Sequence, residues 1–118
     1  MKLKNNSVLL IGYGRWGKVI YSKLSKLCKN VIICTSKDDY KEILKVRNVD
    51  WVVIATPSKT HYEIAKYCLK NKKNVFCEKP LTLSHLESKK LFDISKENNV
   101  KLYVSDVFNF RNDLANIE

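Results

Sequence analysis

Val8-Leu9-Leu10-Ile11-Gly12-Tyr13-Gly14-Arg15-Trp16-Gly17-Lys18-Val19-Ile20 decides the fold. Its four leading apolar residues form a continuous run, as expected of a strand covered on both faces. After the glycines the period becomes helical, and a helix from about Trp16 to Leu27 is predicted to bury Trp16, Val19, Ile20, Leu24 and Leu27. Between strand and helix stands G-x-G-x-x-G. In that setting Gly12 makes the tight turn, Gly14 lets a pyrophosphate approach the backbone, and Gly17 lets the helix pack closely on the strand. The helix N-terminus adds unpaired N–H groups and a positive dipole end. Tyr13, Arg15 and Trp16, carried on the same turn, complete the candidate phosphate site.

The chain has three glycines in 118 residues, and all three are in this loop. Average usage would supply about eight. Helix ends elsewhere are predicted to use asparagine for the left-handed turn, with Asn30, Asn48, Asn71, Asn98 and Asn99 available. A sequence that spares glycine everywhere else and keeps it here points to a backbone requirement.

Outward from the loop, four more apolar runs follow: Val31–Cys34, Trp51–Ala55, Asn74–Cys77 and Lys101–Val104. Helical patterns separate them, near Asp39–Val46, after Thr60 and from Ser84 to about Glu97. Thr60-His61-Tyr62-Glu63 and Ser84-His85-Leu86-Glu87 read as capping boxes. Strand and helix in alternation predict an α/β fold, a Rossmann-like doubly wound parallel sheet of about five strands. At this length the chain is one dinucleotide-binding domain, residues 1–118, with too few residues for a second core.

The net charge of +10 raises the question of a polyanionic partner. The lysines are dispersed, no block of five cations occurs, and nucleic acid is disfavoured; a dinucleotide phosphate answers part of the charge. The four cysteines, Cys28, Cys34, Cys68 and Cys77, show no C-x-x-C or zinc spacing and read as small buried hydrophobes of a reducing compartment. No metal site is expected. No apolar run approaches the length of a membrane span, and the first residues lack a signal-peptide pattern, so a cytoplasmic location is expected.

The end of the second strand bears on the cofactor. NAD-binding domains place an acid there for the ribose 2′-hydroxyl. Here Thr35, Ser36 and Lys37 occupy the position. Two hydroxyls and a lysine suit a 2′-phosphate and lean the reading toward NADP, while Asp38 is close enough to serve a ribose if the turn is tight.

Both prolines end strands: Thr56-Pro57 follows the third and Lys79-Pro80 the fourth. Gly12–Gly17, then Asp50-Trp51-Val52-Val53-Ile54-Ala55-Thr56-Pro57 with His61 four residues on, then Glu78-Lys79-Pro80, arrive in an order and spacing that resemble the N-terminal domain of the Gfo/Idh/MocA oxidoreductases. The resemblance covers essentially the whole chain, and its specific part is E-K-P 23 residues after A-T-P. It implies a hydride-transferring enzyme of sugars or polyols, often nucleotide-linked, that uses NAD(P). It assigns Lys79 a catalytic role beside the nicotinamide ribose and gives Glu78 a positioning role. It also implies that the Lys79–Pro80 bond is cis. Ala55, Thr56 and Pro57 would flank the ribose–nicotinamide half, with His61 and Pro80 beside it; for His61 a capping or packing role is an equal reading.

Two departures stand out. Only Thr35 to Asp50 separate the second and third strands, room for one crossover helix where the family fits a helix, a strand and a further helix. Val31–Cys34 should therefore lie near a sheet edge. The family also continues into a substrate domain that is absent here, so Asp106–Arg111 reads as the start of the crossing segment, with Phe108 and Phe110 as anchors. Residues 1–118 alone are expected to bind cofactor weakly without oxidising substrate, their C-terminal face left for a missing domain or a partner chain. A stand-alone nucleotide-sensing or interaction module is the competing reading.

Overall fold

The computed structural model describes residues 7–105, so the Asp106–Arg111 segment with its two phenylalanines lies outside the described residues. Five strands alternate with four helices: β1 (Ser7–Ile11), α1 (Arg15–Leu27), β2 (Asn30–Cys34), α2 (Tyr40–Val46), β3 (Trp51–Ile54), α3 (His61–Lys70), β4 (Asn74–Glu78), α4 (His85–Glu97) and β5 (Leu102–Ser105). All pairings are parallel and the strand order is β2-β1-β3-β4-β5. The order reverses between β1 and β3, which opens a crevice above their C-terminal ends.

The continuous apolar runs are explained by helices on both faces. Val8, Leu10, Trp51, Val53 and Phe76 pack with Ile20 and Leu24 of α1. Leu9, Ile11, Val52, Ile54, Val75 and Cys77 face the other way, onto Ile64, Ala65, Cys68 and Leu69 of α3 and Leu91 of α4. Every residue of β3 is buried. In β2, by contrast, only Cys34 is, because β2 closes the sheet on one side as the short crossover requires.

Three local expectations need correction. Trp16 and Val19 are not on the buried face of α1; they are 47% and 38% exposed, and Gly17, Ile20 and Leu24 form that face. The pivot is Gly17, pressed onto the Gly12 carbonyl, which points the residue before each member of the stripe outward. Thr60 makes no capping bond. It lies in a 3-10 turn, Ser58–Thr60, with helical backbone angles that an N-cap does not have, and its hydroxyl bonds the Pro57 carbonyl at 2.6 Å instead. Ser84 does cap α4, accepting the Glu87 N–H. Of the asparagines proposed for left-handed turns, Asn99 has that conformation (φ 55°). After α3 it is Lys72 (φ 66°), since Asn71 stays right-handed and donates its side-chain amide to the Tyr67 carbonyl.

Candidate functional site

The C-terminal ends of β1 through β4 surround a cleft of about 620 Å³. Its floor is the glycine turn. Gly12 adopts φ +105°, and a β-carbon there would stand 2.7 Å from the Ala55 carbonyl oxygen, so the first and third strand ends meet backbone to backbone. Gly12 N–H donates to the Cys34 carbonyl and Ala55 N–H to the Ile11 carbonyl, tying the ends of β1, β2 and β3. At Gly17 a β-carbon would collide with the Gly12 carbonyl group. Gly14 is different: nothing lies within 4 Å of where its β-carbon would be. It is the N-cap of α1 without a side-chain capping bond, and the first turn carries no acid. A bare helix N-terminus facing open space is what an anion needs.

Side chains then divide the cleft. Tyr13, Arg15 and Trp16 line the end at the start of α1. Tyr13 meets Tyr21 edge to face, and the Arg15 guanidinium lies 5.8 Å from the centre of the Trp16 ring. Thr35 and Ser36 line the side reached from β2, together with Asp38 and Tyr40. Ala55, Thr56, Pro57 and Glu78 line the opposite side, above β3 and β4.

Asp38 is the residue that strand patterning undervalues. One of its carboxylate oxygens accepts from both the Thr35 N–H and the Thr35 hydroxyl, each at 2.9 Å. Those bonds, the backbone one first, hold its pKa below the usual aspartate range. A carboxylate three residues downstream is thus folded back to the position that sequence alone gives to Thr35. The signal was the turn itself, closed by Asp38 N–H to the Thr35 carbonyl.

Five of the sequence-derived site residues do not line the cleft. Gly17 sits beneath it. Lys37 is exposed beyond Ser36. Lys79 and Pro80 are exposed past the end of β4, joined by a cis peptide bond, with the Lys79 N–H donating to the Ser105 carbonyl. His61, 2% exposed, stands behind the cleft wall. Its Nδ1 lies 2.8 Å from the Pro80 carbonyl oxygen and its Nε2 2.8 Å from that of Thr56. The imidazole therefore bridges the Thr56-Pro57 loop and the Lys79-Pro80 loop.

An open glycine turn, a polar group at the second strand end and the Thr56-Pro57 loop with Glu78 opposite it thus share one cleft. The family model described as "Oxidoreductase family, NAD-binding Rossmann fold" (Gfo/Idh/MocA) matches residues 21–106. The chain belongs to this family. Among the proteins similar to it is an uncharacterised oxidoreductase of Schizosaccharomyces pombe, 35% identical over 86% of this chain and 27% of that protein. Another is the myo-inositol 2-dehydrogenase of Thermotoga maritima, 37% identical over 64% of this chain and 22% of that one. The solved structure of GenD2 from gentamicin A biosynthesis, in complex with NAD, superposes with a TM-score of 0.78. It is 25% identical, over 89% of this chain and 35% of that one. The chain thus spans about a quarter of the length of these two curated relatives. The family match begins after the glycine loop, which rests on its own geometry. Among the described residues there is no cluster of metal-ligating side chains, and no helix is long and apolar enough to cross a membrane.

Proposed function

We propose that the chain is the cofactor half of a dehydrogenase that oxidises a sugar or polyol, nucleotide-linked ones included, at the expense of a nicotinamide dinucleotide. The observation that carries this reading is the open Gly14 N-terminus at the floor of a cleft whose far wall bears Thr56, Pro57 and Glu78, with Lys79-Pro80 following directly beyond that wall. The cleft volume falls in the range of ligand sites. The α1 amides at Gly14–Gly17 and the Arg15 guanidinium would receive the pyrophosphate, and Thr35 to Asp38 the adenosine ribose. Ala55, Thr56 and Pro57 would lie along the nicotinamide ribose. When bound, the nicotinamide supplies the hydride acceptor or donor. Lys79, its backbone pinned to β5, would hand the proton to or from the substrate hydroxyl. Glu78 and His61 position that loop.

Thr35, Ser36 and Lys37 leave a 2′-phosphate admissible. What supports the unphosphorylated cofactor is Asp38: its ionised carboxylate occupies the Thr35 amide and hydroxyl that a phosphate would use, and like charges repel. On this reading NAD is the preferred cofactor.

Fluorescence titration with NADH and NADPH tests both statements, Trp16 at the cleft rim serving as reporter. Weak NADH binding by this chain, with Asp38→Asn narrowing the gap to NADPH, is the expected result. No binding of either cofactor at millimolar concentration refutes the dinucleotide reading. Brisk sugar or polyol oxidation by residues 1–118 alone refutes the statement that this is half of the catalytic unit.

A further inference from the structure

β2 presents an open hydrogen-bonding edge. In its parallel ladder with β1, Cys34 is paired with Ile11 and its carbonyl accepts the Gly12 N–H. Backbone groups alternate sides along a strand, so Cys34, Ile32 and Asn30 address β1, and the N–H and C=O groups of Val31 and Ile33 point away from the sheet. No strand lies beyond them among the described residues. Edges are normally guarded by lysine, proline or a bulge. Asn30-Val31-Ile32-Ile33-Cys34 has neither a charge nor a proline, it pairs without a bulge, and Val31, Ile32 and Ile33 are each half-buried.

We propose that this edge pairs with the same edge of a second copy of the chain, antiparallel, about a two-fold axis through Ile32. The register follows from the sequence. Antiparallel pairing centred on Ile32 sets Val31 opposite Ile33 of the second copy, and Ile33 opposite its Val31. Those are the two residues whose backbone groups are unused, so all four N–H groups and all four carbonyls match in two doubly bonded pairs. One further step out, Lys29 comes opposite Thr35 of the other copy. Thr35 holds the Asp38 carboxylate on its amide and hydroxyl at 2.9 Å, and Lys29 is exposed, so the two-fold places a cation beside an anion twice. A parallel arrangement would instead set Lys29 against Lys29. Charge and hydrogen-bond pattern therefore select a second copy in the antiparallel sense. The result is a continuous ten-stranded sheet in which the two cofactor clefts open at opposite ends.

The test is sedimentation equilibrium of the chain from micromolar to millimolar concentration, combined with amide hydrogen exchange. An interface this small should give a dissociation constant on the order of 100 µM. The Val31 and Ile33 amides should exchange freely when dilute and slow at least tenfold when concentrated. Ile33→Pro removes one outward N–H without touching the β1 ladder and should abolish the dimer. Should that variant misfold, Lys29→Glu leaves the strand intact; it should weaken association about tenfold, and less so at 0.5 M salt. A monomer at 1 mM, or a dimer in which Val31 and Ile33 still exchange freely, overturns the proposal. So does Lys29→Glu dimerising as tightly as the parent.

Discussion

Gly14→Asp should make the protein more stable and nearly unable to bind a dinucleotide. Space is available, since nothing lies within 4 Å of the new β-carbon, and the Gly14 backbone (φ −82°, ψ −155°) suits a side chain. Aspartate at this N-cap can accept from the Trp16 or Gly17 N–H, and it puts a negative charge on a first turn that has no acid. Cap and dipole together give about 0.5–1 kcal/mol. For a domain of this size that is a rise in Tm of roughly 2–5 °C. Binding moves the other way. A carboxylate about 5 Å from one phosphate charge costs about 3 kcal/mol at an effective dielectric constant of 20, or more than a hundredfold in Kd. Thermal denaturation and NADH titration of the same preparation read both effects. A variant that loses stability, or that binds NADH within threefold of the parent, refutes the assignment of Gly14 as the open phosphate seat.

The neighbouring glycines should behave in the opposite manner. Gly12→Ala combines a left-handed φ with a 2.7 Å approach to backbone, and Gly17→Ala drives a methyl into the Gly12 carbonyl; each should cost about 2–4 kcal/mol in urea unfolding, far more than Gly14→Ala. His61→Ala removes a buried ring and its contacts with the two loop carbonyls, so about 2–4 kcal/mol of stability should go together with cofactor affinity. Loss of affinity with stability intact would instead make His61 a ligand contact. Burial pushes the Cys28 and Cys34 thiols to about 11 and those of Cys68 and Cys77 to about 12, above the ordinary 9.0. Their folded pKa values are raised, so this contribution to stability is complete below about pH 9 and is lost as pH climbs through 11 to 12. Tm should hold from pH 7 to 8.5 and fall above 9, and a thiol reagent at pH 8 should label the native protein slowly and all four cysteines after unfolding.

What the sequence conveyed and what it hid follow from the range of the forces involved. The Gly12 turn, the five-strand order of events and the edge position of β2 were legible because each depends on local backbone demand or on how many residues a crossover needs. The exposure of Trp16 and Val19 was not, because periodicity fixes a stripe but not its phase; the contact of Gly17 with Gly12 sets that phase, and glycine carries no hydrophobic signal. Thr60 had the right residue type for a cap, yet the Thr56-Pro57 turn upstream took its hydroxyl. Asp38 took second place to Thr35–Lys37 in the sequence for a related reason. Its place at the strand end comes from a three-residue return, whereas the usual reading looks along the strand axis. The join between the two proline loops through His61 spans 19 residues, and no pattern of spacing displays it.

A phosphate seat made of main-chain amides, as proposed for the glycine turn, would have a consequence for descent. Most substitutions at Tyr13, Arg15 or Trp16 leave those amides where they are, whereas one codon change at Lys79 would end the proton transfer proposed for it. On the proposed roles, binding and catalysis would be exposed to mutation very unequally. A copy released from selection for turnover should keep holding nucleotide long after it stops transforming anything, which makes the glycine turn a ready starting point for a sensor.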